Sequence, residues 1–446
     1  MRFPLSTARR PSRASLIAVL ALTLGAALLV ISLVGLTRGV DQANRTAQST
    51  GIAAADPLSR AIAVAQERLR NNPEDATTWA QLGSAYVQQA RNTADPSYYG
   101  KAQGALDRSM ELQPKDNAAT MTGLGALANA RHDFAAGRDW ALRARDVAPE
   151  TAAVYGVLND ALTQLGDAEG ATVAVQRMLD TRPDIPALTR ASYDLELHGR
   201  VEDARYALGR AMKDAISAPD IAFIRYYLGE LAFNSGDVDE AEKQYEAGLV
   251  FAPNDVYLRQ GRAKAAAARG ETEQALADYQ TVTNRVPLPQ FLQEYGELLL
   301  VSGRAEEAQI QFTLFTEQQR LYESEGATDY LTRAVFAADH GDPAEALRYA
   351  EAEWQRRQSV FSADAMAWAL HVNGRDAEAL TYADRALALG WRNALFTYHR
   401  GMIQKSLGMR AAAQGQLGEA LAINPNFSPL HEPRARAALT ELRNTP

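Results

Sequence analysis

The residues able to do chemistry in this chain are few and scattered. Its six histidines are His132, His198, His340, His371, His399 and His431, and it has no cysteine. Without a thiol there are no disulfides, thiolate metal sites or cysteine nucleophiles, and no lipid-bearing cysteine to serve as an anchor. No two histidines lie three or four residues apart, so no single helix face offers a pair that could grip a metal. The chain contains no glycine-rich phosphate loop, no G-x-S-x-G elbow and no H-E-x-x-H. These residues predict no catalytic, metal or cofactor site. His132, His198 and His340 fall at or beside expected turns, where a ring near helix-end carbonyls serves structure. His371 falls on a helix and reads as a solvated side chain.

The strongest pattern is periodic. Glycines stand at 166, 199, 236, 270, 303, 341, 374 and 408, at intervals of 33 to 38 residues. Five positions after each comes an alanine: Ala171, Ala204, Ala241, Ala275, Ala308, Ala346, Ala379 and Ala413. The links between are short and polar or acidic, as in Asp237-Val238-Asp239-Glu240. Pro183, Pro253, Pro287 and Pro425 follow twelve residues after an alanine, and Pro73, Pro114 and Pro149 hold the same column earlier. A glycine just past a helix takes the left-handed conformation that ends it. Acidic residues favour the next helix N-terminus. Alanine lets two antiparallel helices cross closely, and proline stops the second helix. Such a hairpin cannot bury its apolar face alone, whereas a stack of hairpins can.

Trp79-x-x-Leu82-Gly83-x-x-Tyr86, with Leu228-Gly229 and Tyr295-Gly296 at the same centre, resembles the opening helix of the tetratricopeptide repeat family. The resemblance runs from Pro57 to the C-terminal tail and is most similar to bacterial membrane-anchored members. It implies an all-α, right-handed α-solenoid of about ten hairpins, starting near Ala76, Ala118, Ala152, Ile185, Ala222, Val256, Pro289, Ala327, Val360 and Ala394. A half repeat, Pro57 to Asn71, precedes them, so the solenoid covers 57–428 and a capping helix and tail cover 429–446. Departures are visible. His132 stands where a turn glycine belongs and Gly137 where the alanine belongs. The first repeat carries about seven extra residues around Arg91 to Ser97. The fourth and seventh repeats are longer by about one helical turn, near Lys213–Ser217 and Gln318–Glu325.

In this family the first helix of each hairpin lines a concave groove that binds extended peptides or helices of partner proteins. The resemblance therefore implies a protein-binding scaffold, not an enzyme, without cofactor. Its groove columns fall on Tyr193, Glu196, Phe223, Tyr226, Glu230, Phe233, Tyr257, Gln260 and Lys264, and again on Phe361, Asp364, Trp368, His371, Tyr398, Met402 and Lys405. Exposed aromatic clusters of this kind anchor partners; the rival reading packs each ring on the neighbouring repeat. The lysine–asparagine clamp by which some members grip a C-terminal carboxylate is missing, its columns holding Ala80, Ser84, Thr122 and Gly156.

The N-terminus adds a second expectation. Ala14 to Thr37 carry no charged side chain, long enough as a helix to cross about 30 Å of hydrocarbon. Four arginines precede it. The positive-inside rule then sets residues 1–13 in the cytoplasm and everything after 37 outside, with 38–56 as a linker. A cleaved signal peptide and a buried helix are the alternatives. The expected protein is single-pass, its repeats extracytoplasmic and placed in envelope or secretion-related assembly. The alternative is a subunit of a transporter or membrane enzyme that meets its partner through the anchor. The net charge of −8 argues against nucleic acid, whose phosphates need a basic face.

Overall fold

The computed structural model describes residues 57–444. Among them are 22 helices and no strand. Helix α1 (Pro57–Asn71) stands alone at the start. Five hairpins follow: α2/α3 (Ala76–Thr93, Ser97–Leu112), α4/α5 (Ala118–Ala130, Phe134–Val147), α6/α7 (Ala152–Leu165, Ala168–Thr181), α8/α9 (Ile185–Leu197, Val201–Asp214) and α10/α11 (Ala218–Asn234, Val238–Phe251). Five more complete the array: α12/α13 (Val256–Ala268, Thr272–Arg285), α14/α15 (Pro289–Val301, Ala305–Ser324), α16/α17 (Tyr330–His340, Pro343–Arg356), α18/α19 (Val360–Val372, Asp376–Ala386) and α20/α21 (Ala394–Ser406, Arg410–Ile423). Helix α22 (Glu432–Asn444) packs on the last of these.

Seven of the turns share one construction. Gly166 has φ +88°, and the next residue donates its N–H back to Leu162 O at 3.0 Å. Gly199, Gly236, Gly270, Gly303, Gly374 and Gly408 repeat that left-handed turn. Gly341 does not; it leaves α16 at φ −126°. Asp167 and Asp237 then cap the second helix, accepting from Gly170 N and Glu240 N at 2.8 and 3.0 Å, which satisfies otherwise orphaned donors. The alanine five residues on lies at the helix crossing: all eight are buried to 2 % exposure or less.

The second repeat shows what its departures are for. His132 adopts φ +60°, a conformation that costs an ordinary residue about 1–2 kcal/mol. Gly137 replaces the alanine because Asn129 fills the crossing, where a Cβ would lie 2.0 Å from its Oδ1.

The array does not stay open. After about six hairpins it returns on itself, and turns of the early repeats pack on ends of the late ones. Gln318 of α15 donates to Ala94 O at 3.2 Å. The Thr328 N–H donates to Arg131 O at 3.1 Å. Arg356 donates to His132 O at 2.7 Å. Arg357 bonds Gln164. Asn424 donates to Phe233 O at 2.9 Å. These partners are 191 to 224 residues apart in sequence. The seam satisfies helix-end carbonyls of the first superhelical turn with donors from the second.

One expectation is corrected here. Among the described residues no helix is long and apolar enough to cross a membrane. The structure therefore does not support a single-pass membrane protein with its repeats held outside. The segment assigned to that span, Ala14–Thr37, lies outside the described residues, as does the linker 38–56.

Candidate functional site

The seam turns the concave face into an axial cavity of about 530 Å³. The C-terminal ends of α2, α4 and α6 supply one wall through Arg91, His132 and Gln164. The N-terminal ends of α10, α12 and α14 supply the opposite wall through Phe223, Tyr226, Tyr227, Tyr257 and Gln290. Tyr99 of α3 and Tyr322 of α15 close it between the two superhelical turns, their rings 6.4 Å apart. A cavity of this size, mostly apolar with a few polar groups, is typical of a ligand site.

Aromatic rings interlock along the second wall. Tyr226 meets Tyr227 edge-on at 5.3 Å and Tyr257 at 5.6 Å, and Tyr257 meets Phe291 at 5.6 Å. Burial pushes the Tyr257 hydroxyl up to about 12 and that of Tyr226 well above its ordinary value. Both stay neutral, and the Tyr227 Oη is buried with no partner.

The charged groups around the cavity are almost all engaged. Arg190 grips Asp160 with two bonds of 2.8 Å, both side chains 2 % exposed. Asp329 caps α16 through Thr332 and lies 3.7 Å from the His132 ring; burial opposes its charge, but the ring and Thr332 hold its carboxyl below the usual range. Asp255 caps α12, accepting from Leu258 N at 2.9 Å. Arg357 bonds Glu353 and Gln164.

The sequence-predicted residues separate into three sets. Phe223, Tyr226 and Tyr257 line the cavity. Behind them lies a polar layer. Lys264 holds both oxygens of Glu230 at 2.7 Å and lies 5.0 Å above the Phe233 ring. Tyr245 donates to Glu230 at 2.6 Å, and Gln260 donates to Glu294 at 2.6 Å. Glu196 accepts from Asn234 at 3.2 Å, and burial pushes its carboxyl up to about 7. Tyr193 is buried with its hydroxyl unpartnered.

The third set does not reach the cavity. Phe361 is buried against Trp391 and Phe396. Trp368 stacks on His399 at 4.1 Å and donates to Asp339 at 2.8 Å. Tyr398 is 1 % exposed beneath Phe427 and His431. Asp364, paired with His399 at 3.0 Å, is likewise buried. His371 bonds Asp376 at 2.5 Å, and Lys405 pairs with Glu441 at 2.9 Å. Met402 packs against the same core. The exposure expected of the aromatic columns is thus not found, because a tight superhelix brings them against one another. Among the described residues no group of three or more His, Asp or Glu is arranged to hold a metal.

The glycine turns, the buried crossing alanines and the paired antiparallel helices decide the repeat type. These are tetratricopeptide-type hairpins. No protein-family model matches the chain, and no curated protein matches it. Similar solved structures include the APC/C hetero-tetramer Cut9-Hcn1, at 15 % identity over 85 % of this chain and 81 % of that one, TM-score 0.41. Human IFIT1, solved as a dimer with PPP-AAAA, shares 12 % identity over 90 % and 93 %, TM-score 0.45. Yeast Tom70 shares 13 % identity over 92 % and 96 %, TM-score 0.34.

Sequence reasoning missed Arg91, Tyr99, Asp160, Arg190 and Tyr322. The Asp160–Arg190 pair spans adjacent first helices, 30 residues apart, and Asp160 shares the column of Tyr193, Glu230 and Lys264. That column is the signal that could have found Asp160. Arg91, Tyr99 and Tyr322 depend on the seam, which no local pattern encodes.

Proposed function

We propose that this chain is a binding scaffold, not an enzyme, and that it takes a segment of a protein partner into its axial cavity. The cavity carries the reading: first-helix side chains, among them Phe223, Tyr226 and Tyr257, supply two of its walls, and its size suits a short extended segment. Aromatic walls anchor such segments by burying large apolar area at low entropic cost. The layer of Tyr193, Glu196, Glu230, Phe233, Gln260 and Lys264 fixes the wall from behind and sets its rigidity. Phe361, Trp368 and Tyr398 hold the C-terminal hairpins together and take no direct part.

A photo-crosslinking residue at Tyr257 in the full chain tests this. The control position is Val250, 78 % exposed on α11. Peptides of one partner captured from position 257 and absent from position 250 are the expected result. Capture from the outer position alone would overturn the reading.

A further inference from the structure

Arg91 is a guanidinium on the cavity wall with two buried donors that meet no acceptor. It sits near the end of α2, where the first repeat carries its extra residues, and it lines the cavity wall. Its Nε and Nη1 are sealed from solvent and meet no acceptor. Its electrostatic surroundings are Asp160, Tyr99, Arg190 and Tyr257. The only acid among these is Asp160, and Arg190 already takes both of its oxygens. Asp160 therefore offers Arg91 no hydrogen bond, and these two donors of its guanidinium stay unpaired. The other carboxylates that line the cavity are committed elsewhere: Asp255 to its helix cap, Asp329 to Thr332 and His132, and Asp220 to Ser217. Burying a cation without a partner is costly, and proteins retain such groups where a ligand supplies the counter-charge.

We propose that Arg91 is the receptor for a carboxylate carried on an apolar or aromatic body, bound in the axial cavity. This rests on the binding reading above and names the chemistry of its ligand. A guanidinium presents a planar fork of donors that matches a carboxylate. A single guanidinium fork matches a monoanion and not a polyphosphate. Tyr227 Oη, buried and unpartnered, adds a further donor on the facing wall. The rings of Tyr99, Tyr226, Tyr257 and Tyr322 enclose the body that carries the carboxylate. Burial also pulls the Arg91 guanidinium below its ordinary value, as expected of a cation held without its anion.

The carboxylate has three sources: a peptide C-terminus, an acidic side chain, or a small organic acid. The probes are N-acetyl-phenylalanine, its amide, N-acetyl-glutamyl-phenylalanine amide and 4-phenylbutyrate, each titrated against the full chain by calorimetry and thermal melting. The free acid is expected to bind at least about tenfold more tightly than the neutral amide, as charge-assisted hydrogen bonds imply. Binding of the glutamyl probe assigns a side-chain source, and binding of phenylbutyrate alone assigns a small acid. Arg91→Met should abolish the preference for acid over amide. It should also raise the melting temperature of the unliganded chain, because a buried unpaired charge is gone. Arg91→Lys should retain part of the preference. Equal binding of acid and amide, or a preference that survives Arg91→Met, overturns the proposal. The crosslink from Tyr257 separates the two readings: a partner captured there without acid preference leaves the binding reading intact, and no capture and no binding sinks both.

Discussion

At the scale of single residues, backbone conformation and surroundings can be told apart. Gly166 and Gly374 hold nearly the same left-handed turn, φ +88° and +72°. A Cβ at Gly374 meets nothing within 4 Å, whereas at Gly166 it would lie 2.4 Å from Gln358 O. Gly374→Ala should therefore cost only the conformational penalty, about 1 kcal/mol. Gly166→Ala adds a collision with backbone that no rotamer change relieves, and should cost about 3 kcal/mol or more. Urea midpoints of the two variants check this, and equal losses would falsify the close approach. The sequence showed both glycines as turn residues through their period and the alanine that follows. It could not show the second role of Gly166, because its neighbour lies nearly two hundred positions away.

At the scale of elements, two irregularities answer each other. The extra residues of the first repeat and the extra turn of α15 are each legible as departures from the period. In space they meet: Gln318 donates to Ala94 O at 3.2 Å, and Tyr322 faces Tyr99 at 6.4 Å. The insertion lets α2 end in a left-handed Ala94, φ +53°, whose carbonyl points at the second superhelical turn. The extension carries donor and ring out to reach it. Removing both groups with Gln318→Ala and Tyr322→Ala should cost about 2–3 kcal/mol, a hydrogen bond plus part of a buried ring. It should also speed amide exchange across residues 91–99. Exchange that rises only within α15 would show that the two irregularities are independent. Helix starts and caps needed no such partner, because glycine, aspartate and proline fix them locally. The depth of the candidate site needed it entirely: Tyr226 and Tyr257 were found by column, yet whether they face water depends on how tightly the array coils.

At the scale of the whole molecule, the seam changes what kind of solenoid this is. In an open array each repeat touches only its neighbours, and stability is a sum of repeats and adjacent interfaces. Here one buried apolar cluster runs from Leu188 to Ala265 and continues from Leu331 to Leu439, joining hairpins on successive superhelical turns. A smaller, separate cluster around Tyr279, Leu299 and Phe312 serves α12 to α15. The turn glycines of that stretch, Gly270 and Gly303, have nothing packed on them, whereas Gly199 and Gly236 lie against Gly390 and Ile423. The middle hairpins therefore meet the seam only through the far end of α15, at Gln318 and Tyr322. Local opening follows the least buried region. Native-state hydrogen exchange should show the buried amides of α13 to α15 opening at lower free energy than those of α8 to α11. The amides of α8–α11 and α18–α21 should move together under mild denaturant, as one cooperative unit despite their separation in sequence. An Asn424→Ala variant, which loses the 2.9 Å bond to Phe233 O, should lower the opening energy of both halves of that unit by a similar amount, about 1–2 kcal/mol. If only α20 and α21 respond, the array behaves as a linear stack and the two superhelical turns do not stabilise each other.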